Sequence, residues 1–179
     1  MQIEAETLAH LEEDEFLAGE ERFSRFLEGE LDEDLVIVDD IFEKSVVDIL
    51  ADYPCDFDSL SSPTASIRAP GYIFADHDAG VVLLAPTGDI AGVYLGPDLA
   101  ISDEHRDRGL GAELVLERVL REGGSPVWEL SRPCYTRAGR RAHASAWRLL
   151  RDPPFIDQKI RSLKVAYTGA GFVEAPAAA

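Results

Sequence analysis

Along the chain the apolar positions change rhythm near residue 70. Before it, they follow helical spacing. Leu8, Leu11, Phe16, Phe23, Phe26 and Leu27 recur between acidic residues and predict an amphipathic helix over 6–29. The run "LVIVDDIFEKSVVDIL" opens with a short apolar strand, Leu35 to Val38. Asp39 or Asp40 is placed to cap a following helix that ends near Asp52, with Pro54 closing it. Residues 55–70, "CDFDSLSSPTASIRAP", have the composition of a loop.

Beyond this loop the pattern reads as strands. "GYIFADHD" (71–78) and "GVVLLAP" (80–86) are rich in β-formers and are separated by a turn-like Asp78-Ala79-Gly80. "IAGVYLGPDLAIS" (90–102) reads as one extended run, with Gly96-Pro97 as a bulge or kink. A helix is expected from about Gly109 to Glu122, stopped by Gly123-Gly124, and then a strand "VWEL" at 127–130. A helix over 138–151 ends at Pro153-Pro154, a last helix covers 156–168, and the tail "APAAA" frays. There is no internal repeat and no linker. The expectation is one α/β domain over 1–179, with an acidic, mainly helical part (1–66) leading into a mostly antiparallel sheet.

Composition narrows the class. At 179 residues the chain can bury a sizeable core. No apolar run approaches the roughly 18 residues that span a bilayer, and the acidic N-terminus lacks an apolar signal core, so a cytoplasmic protein with no membrane partner is expected. Cys55 and Cys134 fit no metal spacing and read as two reduced thiols. The net charge is −17, and it is uneven. Residues 1–100 hold 4 Lys/Arg against 24 Asp/Glu, whereas 101–179 hold 13 against 10. Nucleic-acid binding would need the opposite sign over a broad face. Salt adaptation, a solubilising face and a field that draws in a cationic substrate all fit the acidic half.

The stretch "AISDEHRDRGLGAELVLERVL" (100–120) changes the picture most. A short apolar run meets a charged loop with Gly109 and Gly111, and a helix with apolar Leu110, Leu114, Val115, Val119 and Leu120 follows. The first amides of such a helix lack intrahelical partners and, with the helix dipole, form an anion site. The glycines allow close approach to the backbone. Arg106 and Arg108 add positive charge beside it. This is a turn suited to a phosphate or pyrophosphate. A Walker loop is disfavoured because no Gly-Lys-Ser/Thr ending is present, and a dinucleotide fingerprint because Leu114 stands where its third glycine belongs.

The same residues resemble the acyl-CoA-binding motif of the GNAT superfamily of N-acyltransferases. Its core, Arg/Gln-x-x-Gly-x-Gly/Ala, is met by Arg106, Gly109 and Gly111, and its upstream apolar residue by Ile101. The common proline is replaced by Asp103. The resemblance spans about 71–173 and implies a GNAT-like α/β fold: a mixed, mostly antiparallel central sheet with a splayed strand and helices on both faces. It also implies that the backbone of Leu99, Ala100 and Ile101 binds the pantetheine arm. The turn formed by Arg106, Asp107, Arg108, Gly109, Leu110, Gly111 and Ala112 would hold the pyrophosphate of acetyl-CoA, the acyl donor, with no metal. Tyr167-Thr-Gly-Ala-Gly171-Phe172 matches the family's Tyr-x-x-x-Gly-Phe, although the asparagine often found seven residues before the tyrosine is replaced by Ile160. The match makes Tyr167 the candidate catalytic acid.

Acyl transfer to an amine needs a stabilised oxyanion, a proton for the leaving thiolate and a base for the amine. Asp76, His77, Asp98 and Glu129 remain alternatives for the base. The arginines of "RPCYTRAGRRAHASAWRLLR" suit the cofactor's 3′-phosphate, an anionic partner, or pairing with the acidic half of the same chain. His143 and Trp147, one helical turn apart, read as packing, and His10 and His105 show no partner in the sequence. The expected activity is N-acetylation of a primary amine on a small molecule or protein. A cationic acceptor and a homodimer are compatible with it. The alternatives are a non-catalytic acyl-CoA-binding regulatory module and an acidic interaction protein.

Overall fold

The computed structural model of the chain describes residues 36–38, 43–122 and 134–168. The helix expected over 6–29, the strand expected over 127–130, His10, Glu129 and the Gly171-Phe172 pair lie outside these residues.

Five strands form one antiparallel sheet in the order β2-β3-β4-β5-β6: Ser61–Ala65, Ile73–His77, Gly80–Leu84, Ile90–Leu95 and Asp98–Ile101. The segment read as a loop over 55–70 therefore contains a strand. Pro63 and the serines hid it. β2 is an edge strand, where a missing N–H is tolerated. Its register slips between Ser61 and Thr64, and Ser62 has a φ of 48°. The extended run over 90–102 is likewise two strands. Gly96-Pro97 forms a two-residue hairpin loop, with Leu95 opposite Asp98. Gly96 supplies the positive φ of 52° that the first central position of such a loop favours.

Alternation along the strands divides the core. Val82, Val93, Leu95 and Ala100 face α1 (Val46–Asp52), meeting its Val46 and Ile49. Phe74, Val81, Leu83, Ala91 and Tyr94 face the other side. There they pack against α2 (Leu110–Glu122), α3 (Arg137–Leu150) and α4 (Pro153–Thr168). The fold is thus mixed α/β with helices on both faces, an architecture compatible with the GNAT class. A short parallel pair, β1 (Val36–Val38) with β7 (Cys134–Thr136), forms a second sheet.

Helix boundaries follow local chemistry. α1 is capped by Ser45, not by Asp39 or Asp40. Ser45 and Asp48 satisfy one another's backbone amides in a reciprocal capping box. Thr136 caps α3 through the Gly139 amide. Pro153 and Pro154, expected only to end α3, also open α4, where prolines need no amide donor.

Strand directions fix the geometry of the site. The C-terminal ends of β2, β4 and β6 and the starts of β3 and β5 lie at one end of the sheet. The loops 66–72 and 102–109 therefore emerge together there, and α2 starts there and runs back over the sheet.

Candidate functional site

At this end β6 leads through a 3-10 turn (Asp103–His105) into α2. The turn needs left-handed backbone at two positions: Asp107 has a φ of 60° and Gly109 of 73°. Asp tolerates this conformation through its short side chain, and Gly adopts it without steric cost. The first bond of α2 runs from the Glu113 amide to the Gly109 carbonyl, at 3.3 Å. The amides of Leu110, Gly111 and Ala112 come before it and have no intrahelical acceptor. The side chains of Leu110 and Ala112 are buried in the core, so the backbone of both is what the turn can offer.

The two glycines differ. A Cβ on Gly109 would lie 2.4 Å from Nη1 of Arg68. A Cβ on Gly111 would make only ordinary contacts, 3.6 Å from Ala142 and 3.8 Å from Ile101. Nothing in the described chain forbids a methyl group at 111.

The cations near the turn also differ. Arg106 is committed to the protein: its Nε donates to the Ile101 carbonyl at 3.1 Å, and its guanidinium pairs with Asp103 at 3.0 Å and Glu43 at 3.7 Å. It fastens the end of β6 to the turn. Arg68 and Arg108 are exposed and form no ion pair with the described residues. Arg108 lies 5.9 Å from the ring centroid of Tyr72, a buried residue at the start of the β3 side. The Tyr72 hydroxyl and Nδ1 of His105 are 2.9 Å apart, so His105 has a partner the sequence did not suggest. Exposed carboxylates share the turn, at Asp103, Glu104 and Asp107. Leu99, Ala100 and Ile101 form β6 with Asp98, and the outer edge of β6 has no strand partner among the described residues.

A buried charge network runs along α2 from its first turn to its C-terminal end. Glu113, Glu117 and Arg121 fall at intervals of four along one face of α2 and are all buried. Lys159 of α4, fully buried, pairs with both glutamates, 2.7 Å from Oε1 of Glu113 and 2.5 Å from Oε1 of Glu117. Its Nζ also donates to the Ala65 carbonyl at 3.2 Å and lies 4.5 Å from the Phe74 ring centroid. Arg121 bonds Glu117 at 2.8 Å, Asp76 at 2.6 Å and the Thr64 hydroxyl at 2.8 Å. The Tyr167 hydroxyl donates to the other oxygen of Asp76, at 2.8 Å. Burial alone would push the Glu117 carboxyl up, but the Lys159 ammonium and the Arg121 guanidinium outweigh it and hold it below the usual carboxylate range. The Tyr167 phenol is pushed up to about 12, first by burial and then by its bond to Asp76.

Tyr167 is therefore not brought beside the turn. Its hydroxyl sits with Asp76 and Arg121, and Arg121 is eleven residues along α2 from Leu110, roughly 16 Å at 1.5 Å per residue. Asp76 has a structural set of partners. Asp98 accepts from Lys44 at 2.9 Å, and Nε2 of His77 is 3.3 Å from the Pro54 carbonyl. His143 is buried, its Nε2 3.5 Å from the Tyr94 hydroxyl. On α3, Arg137, Arg141 and Arg148 are exposed and form no ion pair with the described residues. Among the described residues, the acidic half supplies no ion-pair partner for these three.

The residues that the sequence reading missed are Arg68 and the four buried charges. The buried set leaves a signal: Glu113, Glu117 and Arg121 lie at i, i+4 and i+8, and Lys159 interrupts the apolar stripe of Ile156 and Leu163. Arg68 leaves none, because it lies in a loop far from the motif in sequence.

Comparison with protein-family models, with curated proteins and with solved structures gives no match. Among the described residues no helix is long and apolar enough to cross a membrane, and no cluster of three or more His, Cys, Asp or Glu is arranged to hold a metal ion.

Proposed function

We propose that the protein is an acyl-CoA-dependent N-acyltransferase, with acetyl-CoA as donor and a primary amine as acceptor. The observation that carries this reading is the strand–turn–helix from Leu99 to Ala112. A strand whose outer side has no partner among the described residues runs into left-handed Asp107 and Gly109, and then into the first amides of α2 at its positive end. Its residues match the acyl-CoA motif in order and spacing. In this reading the outer backbone of Leu99 to Ile101 takes the pantetheine arm, and the amides from Asp107 to Ala112 take the pyrophosphate. Arg106 keeps the strand end and the turn in register. In the same reading a backbone amide of β6 would stabilise the oxyanion of the thioester carbonyl. The acidic half of the chain favours a cationic acceptor by long-range attraction.

One observation favours a second reading, a non-catalytic acyl-CoA-binding module. The phenol expected to protonate the leaving thiolate donates to Asp76 and is pushed up to about 12, which makes it a weak acid. Thiol release from acetyl-CoA in the presence of a panel of primary amines separates the two. Amine-dependent release supports the transferase. Tight acetyl-CoA binding with no release for any amine supports the module, and no binding removes both.

A further inference from the structure

Three features were left without a role by the proposed activity: Arg68, the buried Glu113–Lys159 pair, and the tight loop 66–72. They are physically connected. The carboxylate of Glu113, in the first turn of α2, accepts three bonds from one short segment. These come from the Ser66 hydroxyl at 2.7 Å, the Ile67 amide at 2.8 Å and the Arg68 amide at 3.3 Å. The Ser66 hydroxyl in turn accepts from the Ala69 amide at 3.0 Å, and the Ser66 amide donates to the Tyr72 carbonyl at 2.8 Å. The backbone at 66–68 is thereby fixed against α2. Lys159 pairs with the same carboxylate, its Nζ 2.7 Å from Oε1 of Glu113.

The consequence is the position of the Arg68 side chain. It crosses the start of α2 and packs on Gly109, with Nη1 2.4 Å and Cδ 3.1 Å from where a Cβ would be. A cation at a helix N-terminus opposes the helix dipole. Arg108 is beside it, also without an ion pair among the described residues. Two guanidinium groups that form no ion pair with the described residues thus stand at the positive end of α2, where their donors are available to an anion.

We propose that Arg68 binds the ligand's phosphate groups at the α2 turn, and that Glu113, paired with Lys159, positions it. This rests on the acyl-CoA reading and adds to it a binding cation from outside the motif. The guanidinium presents a planar fork of donors that matches two phosphate oxygens at once. Swinging off Gly109, it would clear the turn and close over the bound pyrophosphate.

Calorimetric titration of the full chain with acetyl-CoA tests this, using Arg68→Gln, Arg68→Lys, Ser66→Ala, the double variant Ser66→Ala/Arg68→Gln, and Gly109→Val. Arg68 is exposed, so its variants should melt as the wild type does. Arg68→Gln should weaken binding about tenfold, the size of one charge-assisted contact, and Arg68→Lys by less. Ser66→Ala removes one tether and should cost about two- to threefold when Arg68 is present and nothing more in the Arg68→Gln background. Loss of mere packing would not produce that dependence. Wild-type affinity in Arg68→Gln, alongside lost affinity in Gly109→Val, overturns the role of Arg68 and leaves the acyl-CoA reading standing. Equal cost of Ser66→Ala in both backgrounds overturns the positioning role. Absence of acetyl-CoA binding by the wild type overturns the reading and this inference together.

Discussion

The two ends of α2 use charge in opposite ways. At the N-terminal end, Arg68 and Arg108 are exposed beside the first helix amides and form no ion pair with the described residues. At the C-terminal side, Glu117, Arg121, Lys159 and Thr64 are buried and locked together, and half-buried Asp76 and Tyr167 close the network. A buried ion that is fully paired and hydrogen-bonded can do structural work only, because any ligand would have to break its partners first. An unpaired exposed charge at a helix end costs little to keep and is available to a ligand. The contrast assigns binding to one end of a single helix and cohesion to the other.

The largest expected effect lies in the buried network. Lys159→Met leaves Glu113 and Glu117 without their shared cation, and should lower the unfolding free energy in urea by about 3–5 kcal/mol. A cost below about 1 kcal/mol would mean that the pairs are not formed in solution.

Gly109→Val acts at the other end. A β-branched residue at a φ of 73° is strained by about 1–2 kcal/mol, and its side chain occupies the space of Arg68 and of the bound phosphates. Acetyl-CoA affinity should fall on the order of 100-fold, about 2.7 kcal/mol, by far more than stability does. Unchanged affinity would detach the turn from binding.

These two sites were unequally legible in the sequence. The turn is local, so Arg106, Gly109 and Gly111 announce it within six residues. The apolar face of α2 was legible for the same reason, and Leu110, Leu114, Val115, Val119 and Leu120 are all buried. Glu113, Glu117 and Arg121 look like a solvated face because the groups that make their burial tolerable come from elsewhere in the chain. Thr64 is 53 residues from Glu117, and Lys159 reaches Ala65 across 94 residues. β2 was illegible because its serines and proline read as loop, yet Thr64 and Ser66 supply the hydroxyls that satisfy the glutamates. Tyr167 illustrates the limit of spacing. The motif locates it in the sequence, whereas the packing of α4 on β2 and β3 decides where its hydroxyl goes.

Tyr167→Phe therefore has a structural expectation. Asp76 loses a donor, for about 1–2 kcal/mol of stability, and acyl transfer per folded molecule should not change. The pH dependence has a definite sign. The folded phenol titrates near 12, above its ordinary value of 10, so its contribution is complete below pH 10 and is lost as pH rises from 10 to 12. Wild-type stability should decline over that window, and the Phe variant should lack that part of the decline. At acid pH the depressed Glu117 carboxyl has the reverse sign. Its contribution is present above the ordinary carboxylate range and is lost as pH falls below it. A drop in acyl transfer in a well-folded Phe variant would place the phenol at the reacting thioester after all.

The smallest effect is at Gly111. Its Cβ position is free of close contacts, and it lies in the first turn of a helix, so Gly111→Ala should change stability by no more than about 1 kcal/mol, in the stabilising direction. Its acetyl-CoA affinity then reports whether the ligand, and not the protein, requires glycine there.

The most direct test of the division along α2 is a backbone amide NMR titration of the full chain with acetyl-CoA. The account predicts shifts at Arg68, at Leu99 to Ile101 and at Arg106 to Ala112, with Asp76, Arg121 and Tyr167 unmoved. Shifts centred on Asp76 and Tyr167, with none from Arg106 to Ala112, would contradict it.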